Sequence, residues 1–522
     1  MDRRSRLAVA VLSVLVLTAG CTLPSFAPEG SDEPARQGGA STPAPAGSGS
    51  GPRWKPCPEV PRELVGRTAE GMTYECATVD VPTDWAKPVA GETYGIDMIR
   101  IRSNRQKERI GSLLLNPGGP GGSGIDVAVY LTFGQAFGGL PTEITDRFDI
   151  VGFDPRGVGE SDPVKCISAK DQDASFAADP DPVDQAAFDE IAALNKKIAD
   201  GCATEYGPSL RTYATEQAAR DLDALRAAVG DEKLTYLGFS YGTLLGATYA
   251  QLFPKNVRAL VLDGAVDPTE DYVSGSEQQA KGFERAFTNF TDWCSQNATK
   301  CPIAPDARGA VTDALAKAEV SPVRGADGRE ATPGWIFLSV ISSLYTESGW
   351  TSLAEAIDSL AAGDAEGVFE LADSYAEREP DGTYSNLFDA NLAVNCADTD
   401  KAPTAAEVRK LQGEWRKKYP MFGPALAIGM LPCTYWGGER DPYPAGKAEG
   451  APPIVVVGTT GDPATPYENT ADLANMLGVG HVLTWEGEGH TAYPSTACIR
   501  NAVDAYLIDL KVPQEGLRCP PK

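Results

Sequence analysis

Gly238, Phe239, Ser240, Tyr241 and Gly242 spell G-x-S-x-G between the apolar run "KLTYLGFS" and the alanine-rich run "YGTLLGATYAQLF". A strand before and a helix after are the context in which this pattern makes a nucleophile elbow. The turn thrusts the serine out, and the glycines let strand and helix pass closely. Ser240 then stands at a helix N-terminus, where unpaired amides favour negative charge. The same residues could form a plain glycine-rich strand-to-helix turn, so the chemistry depends on partners elsewhere in the chain.

A serine hydroxyl needs a base, most often histidine. The chain has 2 histidines. His481 opens the apolar run "HVLTW", which puts it at the amino end of a strand. His490, in "EGEGHTAYP", follows that strand and falls on the carboxyl edge, where open α/β sheets bind ligands. His490 is the expected base. The orienting acid should lie between serine and histidine in the chain. Asp462, in "VVVGTTGDPATP", is the first choice and Asp263, in "LVLDGAVDP", the alternative. Either could instead cap a helix or turn. For the oxyanion, the glycine-dense stretch "NPGGPGGSG" at 116–124 offers the amide of Gly119, to be joined by that of Tyr241. The Lys and Ser/Thr ending of a phosphate-binding loop is missing there.

These residues need a sheet to hold them. "IGSLLLNPGG", "RFDIVGFDPRG", "KLTYLGFS", "VRALVLDG", "PPIVVVGTTGD" and "HVLTWEGEGH" are short apolar runs stopped by glycine, proline or aspartate. Between them lie helical stretches such as "TEQAARDLDALRAAVG" and "ENTADLANMLG". The alternation predicts an α/β fold with a mostly parallel sheet covered by helices on both faces. Residues 269–450 interrupt the pattern with helical sequence and are expected to form a lid over the carboxyl edge. The core is then 54–268 and 451–522.

The N-terminus has another purpose. Arg3, Arg4 and Arg6 precede "LAVAVLSVLVLTAG", which ends in small residues before Cys21, so 1–21 reads as a secretory signal. It resembles a lipoprotein signal with Cys21 as the lipidated residue, although Thr18 stands where an aliphatic side chain is usual. Residues 22–53 are Ser, Pro, Gly and Ala, too polar and too small to offset chain entropy, and are expected to be a tether.

Composition limits the partners and cofactors. Acidic residues outnumber basic ones 72 to 46, for a net charge of −26 across 522 residues, which argues against a nucleic-acid partner, and no basic stripe runs along the sequence. The 11 cysteines leave ten beside Cys21, namely Cys57, Cys76, Cys166, Cys202, Cys294, Cys301, Cys396, Cys433, Cys498 and Cys519. An even number in an exported chain reads as disulfides, and the expectation is that each cysteine pairs with the next. With no C-x-x-C pair and so few histidines, neither a metal nor another cofactor is expected.

Taken together, "NPGGPGGSG", "FDPRGVGES", "GFSYGTLLGATYA", "VLDGAVDP", "NCAD" and "GDPATP…GEGH" resemble the secreted tripeptidyl aminopeptidases, relatives of the prolyl aminopeptidases in the α/β-hydrolase superfamily. The likeness runs from about Cys57 to Cys519. It implies an α/β-hydrolase fold and a triad on Ser240, Asp462 and His490, with the glycine loop as oxyanion donor. The histidine that prolyl aminopeptidases carry before those glycines is absent here. The resemblance also implies peptide or protein substrates with free N-termini, cleaved by a serine exopeptidase. An ammonium group must then be recognised. Asp398, beside Cys396 and its expected bridge to Cys433, is the candidate. Glu160 is expected to anchor the glycine loop or touch substrate, and Thr465 and Tyr241 to line the pocket. A carboxylesterase, lipase or endopeptidase could use the same triad, and a degenerate hydrolase could merely bind peptides or lipids. Membrane contact would come only through a lipid on Cys21.

Overall fold

The computed structural model describes residues 51–57, 71–134 and 138–522. The expected signal, Cys21 and all but the last three residues of the tether lie outside them.

Ten strands form one sheet in the order β1-β2-β3-β5-β4-β6-β7-β8-β9-β10. They are β1 (Lys55–Pro56), β2 (Met72–Pro82), β3 (Thr93–Ser103), β4 (Gly111–Asn116), β5 (Phe148–Phe153), β6 (Leu234–Phe239), β7 (Val257–Asp263), β8 (Ile454–Gly461), β9 (Gly480–Glu488) and β10 (Leu517–Cys519). From β5 to β10 every neighbouring pair is parallel, while β1, β2 and β3 join antiparallel at one edge. The central strands β4, β5 and β6 are buried at every position. Helices on both faces require this, and their runs are accordingly continuous rather than alternating.

Alternate residues serve two cores. Leu113, Leu115, Leu237, Val261 and Val457 face one side, packed with Val127 of α1 (Gly124–Leu131) and Val503 of α16 (Ala497–Asp509). Leu114, Val151, Leu260 and Val456 face the other, packed with Leu222 of α4 (Thr215–Ala228) and Leu245 of α5 (Tyr241–Leu252), and this core runs on into the lid. Period-two alternation on a fully covered sheet produces this division.

Between β7 and β8 the chain builds the lid from α6 (Tyr272–Gln296), α7 (Ala307–Val320), α8 (Pro333–Leu344), α9 (Gly349–Ala361), α10 (Glu366–Ala376), α11 (Leu387–Asp398), α12 (Ala405–Lys418), α13 (Gly423–Ile428) and α14 (Leu431–Thr434). The helix α15 (Glu468–Leu477) then returns to the sheet. The lid has a second contributor that the expected boundaries miss. Before α4, the helices α2 (Ala169–Ala177) and α3 (Gln185–Tyr206) leave the sheet and pack on the lid helices. Asp389 of α11 accepts from the backbone N–H of Cys166 at 2.6 Å and of Ile167 at 2.7 Å, and Thr332 Oγ1 donates to Ala177 O at 2.8 Å. In α3 the buried Phe188, Ala192, Asn195, Ala199 and Cys202 recur every three or four residues, a helical stripe that explains the packing.

Five disulfides join successive cysteines: Cys57–Cys76, Cys166–Cys202, Cys294–Cys301, Cys396–Cys433 and Cys498–Cys519. Three of them clamp lid elements. Among the described residues no helix is long and apolar enough to cross a membrane.

Candidate active site

Ser240 sits between β6 and α5 with φ 53° and ψ −122°, a left-handed conformation that non-glycine residues rarely adopt. Its N–H donates to Asp263 O at 2.8 Å, tying the elbow to the end of the neighbouring strand. The flanking glycines are sterically required. A Cβ on Gly238 would fall 2.3 Å from Gly242 O, and one on Gly242 would fall 2.9 Å from Asn116 O.

His490 lies just beyond β9, and its Nδ1 is 2.9 Å from each carboxylate oxygen of Asp462. Asp462 is itself held. Oδ1 accepts from Ala464 N and Thr465 N at 2.9 Å each, and Oδ2 accepts from Thr465 Oγ1 at 3.1 Å. Thr465 Oγ1 is also 3.3 Å from His490 Nδ1, so this threonine braces acid and base as well as lining the cleft. With Nδ1 turned to the acid, Nε2 is the nitrogen left for chemistry. His490 Nε2 and Ser240 Oγ are both buried, and neither has a hydrogen-bond partner among the described residues. A proton transfer from serine to histidine would join this pair, and such bonds commonly tighten only when substrate binds.

Asp263, the alternative acid, holds the histidine loop instead of the histidine. Its carboxylate accepts from Ala492 N at 3.0 Å and from Tyr493 N at 2.6 Å. Burial pushes this carboxyl up to about 7, against the pull of those two amides. The adjacent Gly264 makes room for the ring, since a Cβ there would lie 3.1 Å from His490 Cε1. His481 stands apart at the start of β9, half-buried, 3.1 Å from Glu515.

The loop carrying Gly119 runs over the elbow. A Cβ on Gly118 would meet Phe239 O at 2.5 Å and Tyr241 N at 3.1 Å. Tyr241 N is the first amide of α5, one of the donors a helix start leaves without an intrahelical acceptor. The loop is anchored by Asp154 of "FDPRG", buried at the end of β5. Asp154 accepts from Ser123 Oγ at 2.7 Å and from Glu160 N at 3.0 Å, and burial pushes it up to about 7. Glu160 contributes only its backbone to this anchor, and its side chain is exposed. The lid completes the support, as Asn391 Nδ2 donates to Pro120 O at 3.0 Å.

Asp398 departs from expectation. Both its oxygens are taken at the start of α4, by Thr215 N at 2.8 Å and Thr215 Oγ1 at 2.6 Å, and it does not line the cleft. Thr215 Oγ1 in turn bonds the Tyr241 hydroxyl at 2.6 Å. The carboxyl therefore lies behind Tyr241, pushed up to about 7 by burial.

Residues 419–519 match the family described as TAP-like protein, and residues 111–311 match the α/β hydrolase fold. Over 465 residues the chain is 37% identical to the serine protease Hip1 of Mycobacterium tuberculosis, a match covering 85% of this chain and 87% of that one. The chain belongs to the TAP-like α/β-hydrolases. As a TAP-like hydrolase it is a serine hydrolase, and it is also 31% identical to a tripeptidyl aminopeptidase of Streptomyces lividans, over 86% of this chain and 84% of that one. A carboxylesterase B of Mycobacterium tuberculosis is 36% identical over 100% of this chain and 99% of that one.

In this TAP-like hydrolase the cleft beside Ser240 carries two acids that sequence reasoning passed over. Asp267 and Glu270, just after β7, line it together with Gly119, Tyr241 and Thr465. Asp267 is only 5% exposed, and its Oδ1 accepts from Thr269 N and Thr269 Oγ1. Burial holds its carboxyl above the usual range, Thr269 opposes this, and the charges of Asp472 and Glu270 add to it. The signal was available in "VLDGAVDPTED", where acids follow a strand that ends at the catalytic edge.

Proposed function

We propose that the protein is an exported serine peptidase that releases short peptides, tripeptides foremost, from free N-termini through an acyl-enzyme on Ser240. The observation that carries this reading is the pair of acids, Asp267 and Glu270, in the cleft that also holds Ser240. Two carboxylates without a cation among the residues lining that cleft suit the ammonium group of a free N-terminus. An ester substrate has no use for them.

The steps follow from the geometry. Ser240 Oγ attacks the scissile carbonyl while His490 Nε2 takes its proton, and Asp462 holds the ring through Nδ1. The carbonyl oxygen, now an anion, receives the amides of Gly119 and Tyr241. Collapse of the tetrahedral species breaks the C–N bond, and the proton on His490 goes to the departing amine. Water, deprotonated by His490, then attacks the acyl-enzyme, freeing the N-terminal fragment and restoring the serine. A signal segment at 1–21 and five disulfides support an oxidising, extracytoplasmic setting, with Cys21 as lipid anchor.

The test compares a tripeptide anilide bearing a free amino group with its N-acetylated twin, using wild type and Ser240→Ala. Cleavage of the free form alone, lost in the variant, supports the reading. Equal cleavage of both forms overturns it in favour of an esterase or endopeptidase on the same triad.

A further inference from the structure

A second cavity, of about 240 Å³, lies within the lid and is walled by α2, α3, α8, α11 and α13. That is about eight times the share of one water in the liquid, room for a large side chain and not for a folded partner. Its walls are mainly apolar, with Phe176, Leu194, Leu338, Phe388, Leu392 and Ile428 among them. No lysine or arginine among the described residues lines it.

Two observations connect this chamber to the chemistry. Asn395 of α11 lines both the chamber and the cleft of Ser240, so the two spaces share a wall. One turn earlier Asn391 also lines the chamber, and its Nδ2 bonds the oxyanion loop at Pro120 O, 3.0 Å away. One polar side chain of the wall is pinned to the lid. Gln172, in its wall, is 4% exposed and donates Nε2 to Asp389 Oδ2 at 3.0 Å. A carboxylate only accepts, which fixes the amide's orientation and leaves Oε1 as the other atom. Gln172 Oε1 is buried within the wall and does not open on the chamber.

We propose that the lid chamber is a substrate subsite, which takes a bulky apolar side chain of the peptide bound at Ser240. The inference rests on the peptidase reading. A peptide held at Ser240 brings apolar side chains of a size that the chamber takes. Asp179, the one charged residue among those lining the chamber, disfavours an anionic group.

The experiment uses the full chain and a set of alanine-rich hexapeptides with free N-termini, in which leucine or phenylalanine replaces alanine at one position at a time. The wild type should prefer the bulky residue at one position by roughly tenfold or more in kcat/KM, the discrimination expected of an apolar pocket. Leu194→Trp and, from a different wall, Ile428→Trp narrow the chamber, and each should collapse that preference ratio toward one. Thermal melts identify a variant that has failed to fold. Peptide cleavage without a positional preference, or with one that both folded variants retain, overturns the chamber proposal and leaves the peptidase reading standing. If the variants instead abolish a preference for octanoyl over acetyl p-nitrophenyl ester and spare the peptides, the chamber serves acyl chains and the proposal is wrong. A wild type that cleaves no peptide overturns both.

Discussion

Tyr345, at the end of lid helix α8, accepts the backbone N–H of His490 at 2.8 Å and stands edge-on to its imidazole, ring centroids 5.4 Å apart. An isolated bridge between Thr346 and Gly489 adds to the contact. The base is thus seated by the lid and the acid by the loop after β8, two segments that meet only in the folded chain. Tyr345→Ala removes the ring and keeps the backbone bond, so the imidazole gains freedom. The expected result is a fall in kcat of roughly tenfold or more with a smaller change in KM, since misplacement of a catalytic group acts on the transition state. Tyr345→Phe should stay near wild type, because it keeps the ring that stands against the imidazole. Equal losses for both variants would show that the ring edge is not what matters.

The triad predictions are steeper. Ser240→Ala and His490→Ala should each lower kcat by several orders of magnitude, and Asp462→Asn by roughly 10⁴-fold, as in serine hydrolases that share this arrangement. Thr465→Val, which removes the hydroxyl between Asp462 and His490, should cost less than Asp462→Asn. Steady-state kinetics with melting curves checks the series, and a Thr465→Val enzyme with unaltered kcat would remove the brace from the account.

The parts of this site that were legible in the sequence share a property. Ser240, Asp462, His490 and the glycine loop each sit in a short contiguous stretch at the end of an apolar run, so strand-end position and residue type suffice to find them. Asp398 shows the limit. It lies in the lid and is acidic, but only the folded chain shows its two oxygens spent on Thr215, 183 residues away. Tyr345, Asn391 and Gln172 act through contacts between lid helices and distant loops, and no local pattern marks them. The lid's second contributor, α2 and α3, was missed because its partners come 155 to 223 residues later.

Asp267→Asn tests the ammonium site against the earlier candidate. Losing a charge-assisted hydrogen bond costs about 1.5–3 kcal/mol. The expected outcome is therefore a rise in KM of roughly 10- to 100-fold for free-amine peptides. Asp398→Asn should leave that KM unchanged. Since Asp267 must be ionised to attract the ammonium and burial raises its pKa, activity on free-amine peptides should decline on acidification earlier in wild type than its unperturbed pKa would dictate. Identical KM values for Asp267→Asn and wild type would remove Asp267 from recognition.

Stability should depend on pH in an unusual direction. Asp154, Asp263 and Asp398 are buried and each pushed up to about 7, and Asp389 to about 6, by burial. An unfolded aspartate titrates near 3.9, so the folded state holds protons that the unfolded state releases. Their contribution is fully present below about pH 4 and is lost progressively as pH rises through about 7. The net charge of −26 adds self-repulsion over the same range. Melting temperature should therefore be higher near pH 5 than at pH 8, within the range where exposed ion pairs stay ionised. Asp398→Asn keeps the shape and an acceptor for Thr215 N while removing the titration, so it should flatten that slope without lowering the melting temperature at pH 8. A slope unchanged by the substitution would mean that Asp398 is ionised in the folded protein across this range, its two bonds from Thr215 outweighing the loss of solvent.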